Sequence, residues 1–559
     1  MFYFSYSKRR NALITIDSWR RYFPFEHIRP QQEEAINFVL NAYASGKKSV
    51  VLELATGVGK SAIGICVARY VDAYMPVNEK DEDGMQLTGA YFLSTQKLLV
   101  EQYIKDFSSL VKTIKSSSNY VCKHYTDNTC AQSKQLLLKL GKHAANTDFA
   151  KTCKHECTYS LEKQDFISSP IAITNFSYFL AETTYSGKLT PRALLVVDEC
   201  HNTEAELGKF IEVSFSEKFS RDVLKCKIPK LDSQEAVVDW VKGSYKKAVN
   251  KYVRALEKNI IKLSDQTEGH NEFSKQYEML EKHIGKIDQF VDVYSRDNWI
   301  MNVVYPQEGN KRGARKFEFK PIDLGLYSQK VLLKSGARLL MMSATIVDNE
   351  VFCSSIGLKH EDVAYLRIGS PFPIENRPIH YIPVGSMSKD SIDKSLPILA
   401  EAVKMLLEKH SNVKGILHTS NYRIAKYLQE NIQTNRFLTH ESGNRDEVLK
   451  LHITCKEPTV IISPSMMEGV DLADDASRFQ ILCKIPFPYL GDQVALKRKA
   501  LRKNWYDMQT VKFIVQSVGR SIRNEKDHAI TYILDSSFEY LYKKNKWMFP
   551  DDFQSSIIK

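Results

Sequence analysis

The sequence predicts an α/β protein built on two parallel sheets, and three observations carry that prediction. The first is a strand, a loop and a helix in succession: Ser49-Val-Val-Leu52 is a short apolar run, Leu52-Glu-Leu-Ala-Thr-Gly-Val-Gly-Lys-Ser61 is glycine-rich, and Ala62 to Tyr70 reads as a helix. The second is Leu194-Leu-Val-Val-Asp-Glu-Cys-His201, an apolar strand that ends in two carboxylates, where α/β folds place metal chemistry. The third is the C-terminal half, which repeats the strand and helix alternation with strands expected near Thr459 to Ile462, Phe479 to Cys483 and Ala529 to Asp535.

Composition bounds what such a chain does. At 559 residues it accommodates several domains with substantial cores, on a soft prior of about 150 residues each. A hydrophobic fraction of 43% and a charged fraction of 26% are ordinary for a globular protein. There is no run of 18 apolar residues, and Lys8-Arg9-Arg10 is not followed by an apolar signal core, so an intracellular, cytoplasmic chain without a membrane partner is expected. The net charge of +12 leans toward polyanionic partners.

Taken in order, the first chemistry is at Arg29-Pro-Gln-Gln32, ahead of a helical stretch Glu33 to Ala44. An amide at Gln32 can read an adenine edge as donor and acceptor at once. In the loop that follows, Gly57 and Gly59 let the backbone aim successive N–H groups at a triphosphate, next to the positive end of a helix. Thr56, Gly57, Val58, Gly59, Lys60 and Ser61 are the expected nucleotide-binding stretch, with Lys60 on the β- and γ-phosphates and the Ser61 hydroxyl on Mg²⁺. Leu54 stands where the general phosphate-loop pattern has a glycine. Beyond it, Gly89 to Leu93 reads as a strand ending in Ser94-Thr95-Gln96, whose hydroxyls could meet a nucleic-acid phosphate.

Ten cysteines in an intracellular chain are thiols or ligands rather than disulfides, and four of them cluster: Cys122, Cys130, Cys153 and Cys157, spaced C-x7-C, 22 residues, C-x3-C. The C-x3-C step fits zinc, with His124 and His155 alongside, while the irregular overall spacing also suits a cubane iron–sulfur cluster. At the second carboxylate strand, Asp198 would hold Mg²⁺ directly or through water. Glu199 would orient and deprotonate an attacking water, and His201 would couple the site to a neighbouring motif.

These motifs resemble those of superfamily-two helicases, and their order resembles the XPD and DinG branch along nearly the whole chain. Ala-Thr-Gly-Val-Gly-Lys-Ser61 is similar to the first motif and Asp198-Glu-Cys-His201 to a DEAH-type box. Ser343-Ala-Thr345, Ser370-Pro-Phe372, Glu375-Asn376, Gly415-Ile-Leu-His-Thr-Ser420, Met467-Glu-Gly-Val-Asp471 and Gln516-Ser-Val-Gly-Arg-Ser-Ile-Arg523 follow in the family's order. The resemblance implies two RecA-like motor domains with an inserted iron–sulfur domain and a helical arch domain. It divides the chain into motor domain 1 (1–110, 169–205 and 326–372), an iron–sulfur domain (111–168), an arch (206–325) and motor domain 2 (373–559). In the arch, Val249 to Leu263 and Phe273 to Val291 carry helical stripes that predict an antiparallel helix pair. The nuclease domain that some DinG-like proteins carry ahead of the first motif is not expected here.

The resemblance further implies an ATP-driven DNA helicase of the repair type, DNA-associated and monomeric, that travels 5′ to 3′ on single strands and opens forked or tailed duplexes. Its cofactors would be ATP, Mg²⁺ and a [4Fe-4S] cluster on Cys122, Cys130, Cys153 and Cys157. Asp471, Gln516, Arg520 and Arg523 resemble the second wall of the ATP cleft, with the two arginines reaching across it to the γ-phosphoryl group. Two alternatives stand beside this reading: a nucleic-acid-stimulated ATPase that remodels complexes without separating strands, and a non-catalytic scaffold subunit.

Overall fold

A computed structural model describes residues 18–558 except 82, 96, 135–146, 187–188, 263–267, 306–313, 442, 465–471, 473, 520–521, 523 and 525. In chain order the strands are β1 (Ser49–Leu54), β2 (Ala90–Ser94), β3 (Lys112–Thr113), β4 (Ile171–Asn175), β5 (Arg192–Asp198), β6 (Val213–Ser216), β7 (Trp299–Val304), β8 (Lys316–Pro321), β9 (Gly336–Ser343) and β10 (Val363–Ile368). They continue as β11 (Ile379–Gly385), β12 (Gly415–His418), β13 (Phe437–Thr439), β14 (Val460–Ser463), β15 (Phe479–Leu482), β16 (Ile530–Asp535) and β17 (Ile557–Ile558). The helices that matter below are α1 (Pro30–Ala44), α2 (Lys60–Tyr74), α3 (Lys97–Phe107), α4 (Lys246–Lys262), α5 (Glu268–Val293), α6 (Gln493–Leu501) and α7 (Trp505–Val518).

The first sheet has the order β10-β1-β9-β5-β2-β4-β3 and every pairing in it is parallel. Its central strands are apolar on both faces because both are covered: all six residues of β1 and all seven of β5 are buried. One face packs on α1 and α2 through Val50, Leu52 and Leu54, and the other continues through Val51 and Val197 into the 206–325 insertion. Parallel strands share one carboxyl edge, and register brings Ser94 beside Asp198 and Glu53 beside Ser343 on it. The second sheet, β13-β14-β12-β15-β16-β11-β17, is also wholly parallel. The two parallel sheets expected from the sequence are therefore present.

The insertion differs from its sequence reading. The helix pair α4 and α5 is there, but it packs on a three-stranded antiparallel sheet, β6-β8-β7, so this region is not purely helical. Alternation such as Lys-Phe-Glu-Phe-Lys-Pro in β8 buries Phe317 and Phe319, leaves Lys316 exposed and keeps Glu318 and Lys320 partly exposed. Those rings meet Phe215, Phe290 and Trp299 in one aromatic core. Among the described residues no helix is long and apolar enough to cross a membrane.

Candidate nucleotide cleft

The phosphate loop leaves β1 at its carboxyl end and turns on two left-handed glycines, Gly57 at φ +91° and Gly59 at φ +90°. Gly59 is also the residue before α2, so the helix begins at Lys60, two residues earlier than its apolar pattern suggests, and its free N–H groups face the loop. Two residues of the α1 start brace this turn. The Arg29 guanidinium donates to the Gly57 carbonyl, and the Gln32 amide lies where a Cβ on Gly59 would have to go. Gln32 falls inside the first turn of α1, not ahead of the helix, and its amide oxygen accepts from the Arg29 N–H at 3.0 Å. As placed, the Gln32 amide nitrogen lies against Gly59. Phe372 closes the other side, with its ring over Gly57.

The carboxylates of β5 lie beside this loop. Asp198 is buried, and both of its oxygens are engaged: Oδ1 accepts from the Glu199 N–H at 2.9 Å and Oδ2 from the Tyr103 hydroxyl at 2.9 Å. Burial and then the neighbouring Glu199 charge push its carboxyl up to about 6. Burial also acts on Glu199, but Lys60, at 3.5 Å, and His201, at 3.3 Å, overcome it and hold that carboxylate well below its ordinary range. Glu199 stands in the left-handed region at φ 51°, with its carboxylate 3.5 Å from the Lys60 ammonium. Two adjoining carboxylates against one ammonium form a donor set short of positive charge, and with the Ser61 hydroxyl nearby this set suits a divalent cation.

A relay runs from here to the second sheet. His201 Nδ1 lies 2.7 Å from Ser343 Oγ, and its Nε2 lies 2.7 Å from the Gln516 amide nitrogen, which also donates to Thr345 Oγ1 at 2.9 Å. Both ring nitrogens of His201 are therefore engaged, one toward Ser343 and Glu199 and one toward Gln516. Gln516 is on α7, so one hydrogen-bonded chain joins the phosphate loop to the second unit. The cavity between the units measures about 390 Å³, and Thr56, Glu199, His201, Thr345, Phe372 and Gln516 are among its lining residues. Gln96, Asp471, Arg520 and Arg523, together with Met467 to Val470, lie outside the described residues.

The four cysteines come from two segments. Backbone bonds fix the first: Cys122 N–H donates to Asn128 O at 2.8 Å and Cys130 N–H to Tyr120 O at 2.8 Å. Cys153 lies in the helix Asp148–His155, capped by the Thr147 hydroxyl, and Cys157 immediately precedes the next helix, Thr158–Ser168. Burial pushes the Cys130 thiol up to about 12, with Cys157 hydrogen-bonded to it and the charges of Cys122 and Cys153 adding to the shift. Cys153 rises to about 11 for the same kind of reason. Among the described residues these side chains do not close into a formed metal-coordinating group, yet the four thiols converge. Burial and mutual repulsion both oppose ionisation of Cys130 and Cys153, and a metal or cluster would supply the positive charge that favours their thiolates. His124 packs instead on Tyr125 and Phe149.

Sequence reasoning missed Tyr103 and the Arg29 brace. In sequence Tyr103 belongs to an apolar stripe with Val100 and Phe107, which reads as core. Its burial fits that reading, while its hydroxyl does not.

Two family models match the chain in succession: "Type III restriction enzyme, res subunit" over residues 26–227 and "Helicase C-terminal domain" over residues 406–556. A protein named ATP-dependent DNA helicase DinG, from Photobacterium profundum, is 27% identical over 248 residues, which is 40% of this chain and 35% of that protein. A Regulator of telomere elongation helicase 1 homolog from Drosophila ananassae is 32% identical over 97 residues, 14% of this chain and 10% of that protein. The chain thus aligns with about a third or less of these relatives' lengths. A solved structure of an XPD helicase superposes over 96% of this chain and 100% of its own, with a TM-score of 0.61 at 17% identity. The S. tokodaii Xpd4 structure covers 95% of this chain and 99% of its own, with a TM-score of 0.56 at 14% identity. The phosphate loop, the carboxylate strand and the cross-cleft glutamine are thus set on the two-sheet fold of the XPD structures, in a chain similar over part of its length to DinG and to a helicase C-terminal domain.

Proposed function

We propose that this protein is an ATP-driven DNA helicase that travels 5′ to 3′ on single strands and separates tailed or forked duplexes. The observation that carries the reading is the unbroken contact chain Lys60, Glu199, His201, Gln516, which links a phosphate loop to the opposite wall of a cleft. Both walls belong to one chain, which supports a monomer.

The residues divide the work by their surroundings. Gly57, Gly59 and the first turn of α2 bind the phosphates through backbone N–H groups, and Lys60 neutralises their charge. Asp198 and Ser61 would hold Mg²⁺, which would supply positive charge to offset that of the phosphates. Glu199, ionised under the field of Lys60 and His201, orients a water and takes its proton. The relay through His201 and Gln516 changes when the γ-phosphate leaves, and the second sheet follows. Repeated closing and opening moves a single strand along the protein; the Ser94 and Thr95 hydroxyls, expected at its phosphates, are buried. Arg520 and Arg523 we assign to the γ-phosphoryl group, and Asp471 to the same wall. Cys122, Cys130, Cys153 and Cys157 would hold the [4Fe-4S] cluster, which when bound braces the 111–168 region against the DNA path.

The test is unwinding of 5′-tailed against 3′-tailed duplexes by the wild type and Lys60→Ala. Unwinding of the 5′-tailed substrate alone, lost with Lys60→Ala, is the expected result. ATP turnover without strand separation on either substrate would leave a translocase, and undiminished turnover in Lys60→Ala would end the motor assignment. Iron measured on the same anaerobic preparation checks the cysteines, with stoichiometric zinc and no iron as the contrary result.

A further inference from the structure

We propose that Tyr103 is a positioning residue of this cleft: its phenol ties α3, and the Ser94-Thr95 strand end from which α3 springs, to the Asp198 and Ser61 groups that would hold Mg²⁺. The inference rests on the ATP-driven reading and adds to it a residue that no motif marks.

Tyr103 is 2% exposed, deep in the core beneath the cleft, yet its hydroxyl donates to Asp198 Oδ2 at 2.9 Å. The Ser61 side chain neighbours the same phenol. One buried phenol therefore stands beside both expected cation ligands, one from β5 and one from the first turn of α2. Its ring is fixed between Phe92 and Phe107, at centroid separations of 5.8 Å each. Without the phenol, Asp198 would keep only the Glu199 N–H, and its carboxylate would be free to rotate about its terminal torsion. Partners of this kind typically contribute about 10–100-fold to metal affinity by orienting the ligand.

The element that carries Tyr103 extends its effect. Ser94, the last residue of β2, pairs in register with Asp198, and α3 starts three residues later. Leu99 and Gln102 of the same helix line the cleft.

The experiment is a Mg²⁺ titration of fluorescent ADP binding, which needs no turnover, on wild type, Tyr103→Phe and Phe107→Leu. Tyr103→Phe keeps the ring packing and removes only the hydroxyl. The expected result is unchanged ADP affinity without Mg²⁺, and a half-saturating Mg²⁺ concentration raised about tenfold. Phe107→Leu loosens the packing, leaves the hydroxyl and should titrate like wild type. In the Asp198→Asn background Tyr103→Phe should shift the titration less than it does in wild type. An unchanged titration in Tyr103→Phe, an equal shift in Phe107→Leu, or an undiminished loss on top of Asp198→Asn would each overturn the inference. Wild type that binds ADP without any response to Mg²⁺ would instead overturn the ATP-driven reading itself.

Discussion

Gly57 and Gly46 both stand in the left-handed region, at φ +91° and +93°, but their surroundings differ. A Cβ at Gly46 meets nothing within 4 Å, while one at Gly57 would run into the Phe372 ring. Gly46→Ala should therefore show the conformational penalty alone, about 1–2 kcal/mol. Gly57→Ala adds displacement of Phe372, and should both melt lower than Gly46→Ala and lose nucleotide affinity. Thermal unfolding of the two variants without nucleotide makes the comparison, and equal melting temperatures would show that Phe372 gives way freely. Glu199 is the counterpart among residues with side chains. It holds a left-handed backbone because Lys60 and His201 grip its carboxylate.

At the scale of elements, α5 carries a titration that its core position creates. His283 hydrogen-bonds the Tyr245 hydroxyl at 2.9 Å, and burial, aided by the Lys286 charge, lowers its pKa to about 4. In an unfolded chain the same imidazole titrates near about 6.5. The folded value is the lower one, so the unfolded state takes up the proton first and stability falls as pH drops from about 6.5 toward 4. At about pH 5.5 the loss is about 1 kcal/mol relative to about pH 7.5. Hydrogen exchange of α5 amides, corrected for the intrinsic pH dependence, should show that loss in wild type and much less of it in His283→Gln. Equal losses in both would place the titrating group elsewhere.

For the molecule as a whole, the second unit docks on the first through α6 and α7. Glu204, buried behind the carboxylate strand, accepts from Trp505 Nε1 at 3.1 Å and pairs with Arg498 at 3.2 Å. Arg498 also donates to the Ile322 carbonyl at 2.9 Å, and Arg502 to Asp323 at 2.6 Å. Removing one partner of a buried pair leaves the other charge stranded, a change typically worth about 3–5 kcal/mol. Glu204→Ala should accordingly uncouple the units, splitting one calorimetric transition into two and broadening the distance distribution between fluorophores placed on the two sheets. A single unchanged transition would mean that the units are held mainly by other contacts.

Sequence alone determined the parallel sheets, because strands buried on both faces are written as unbroken apolar runs such as Val50 to Leu52 and Leu194 to Val197, whatever they pair with. It also marked the phosphate loop and the carboxylates at the ends of those runs, since these residue types are local requirements of the chemistry. The antiparallel sheet of the insertion was less legible, because short strands such as Val213–Ser216 hold too few alternations to stand out beside two long amphipathic helices. Tertiary structure alone decided that a core tyrosine at 103 bonds Asp198, 95 residues away, and that Gln516 reaches His201 across 315 residues. Hydrophobic pattern records which side chains leave water and says nothing about where a buried hydroxyl or amide finds its partner. That partner is fixed only when strands distant in sequence are brought to one carboxyl edge.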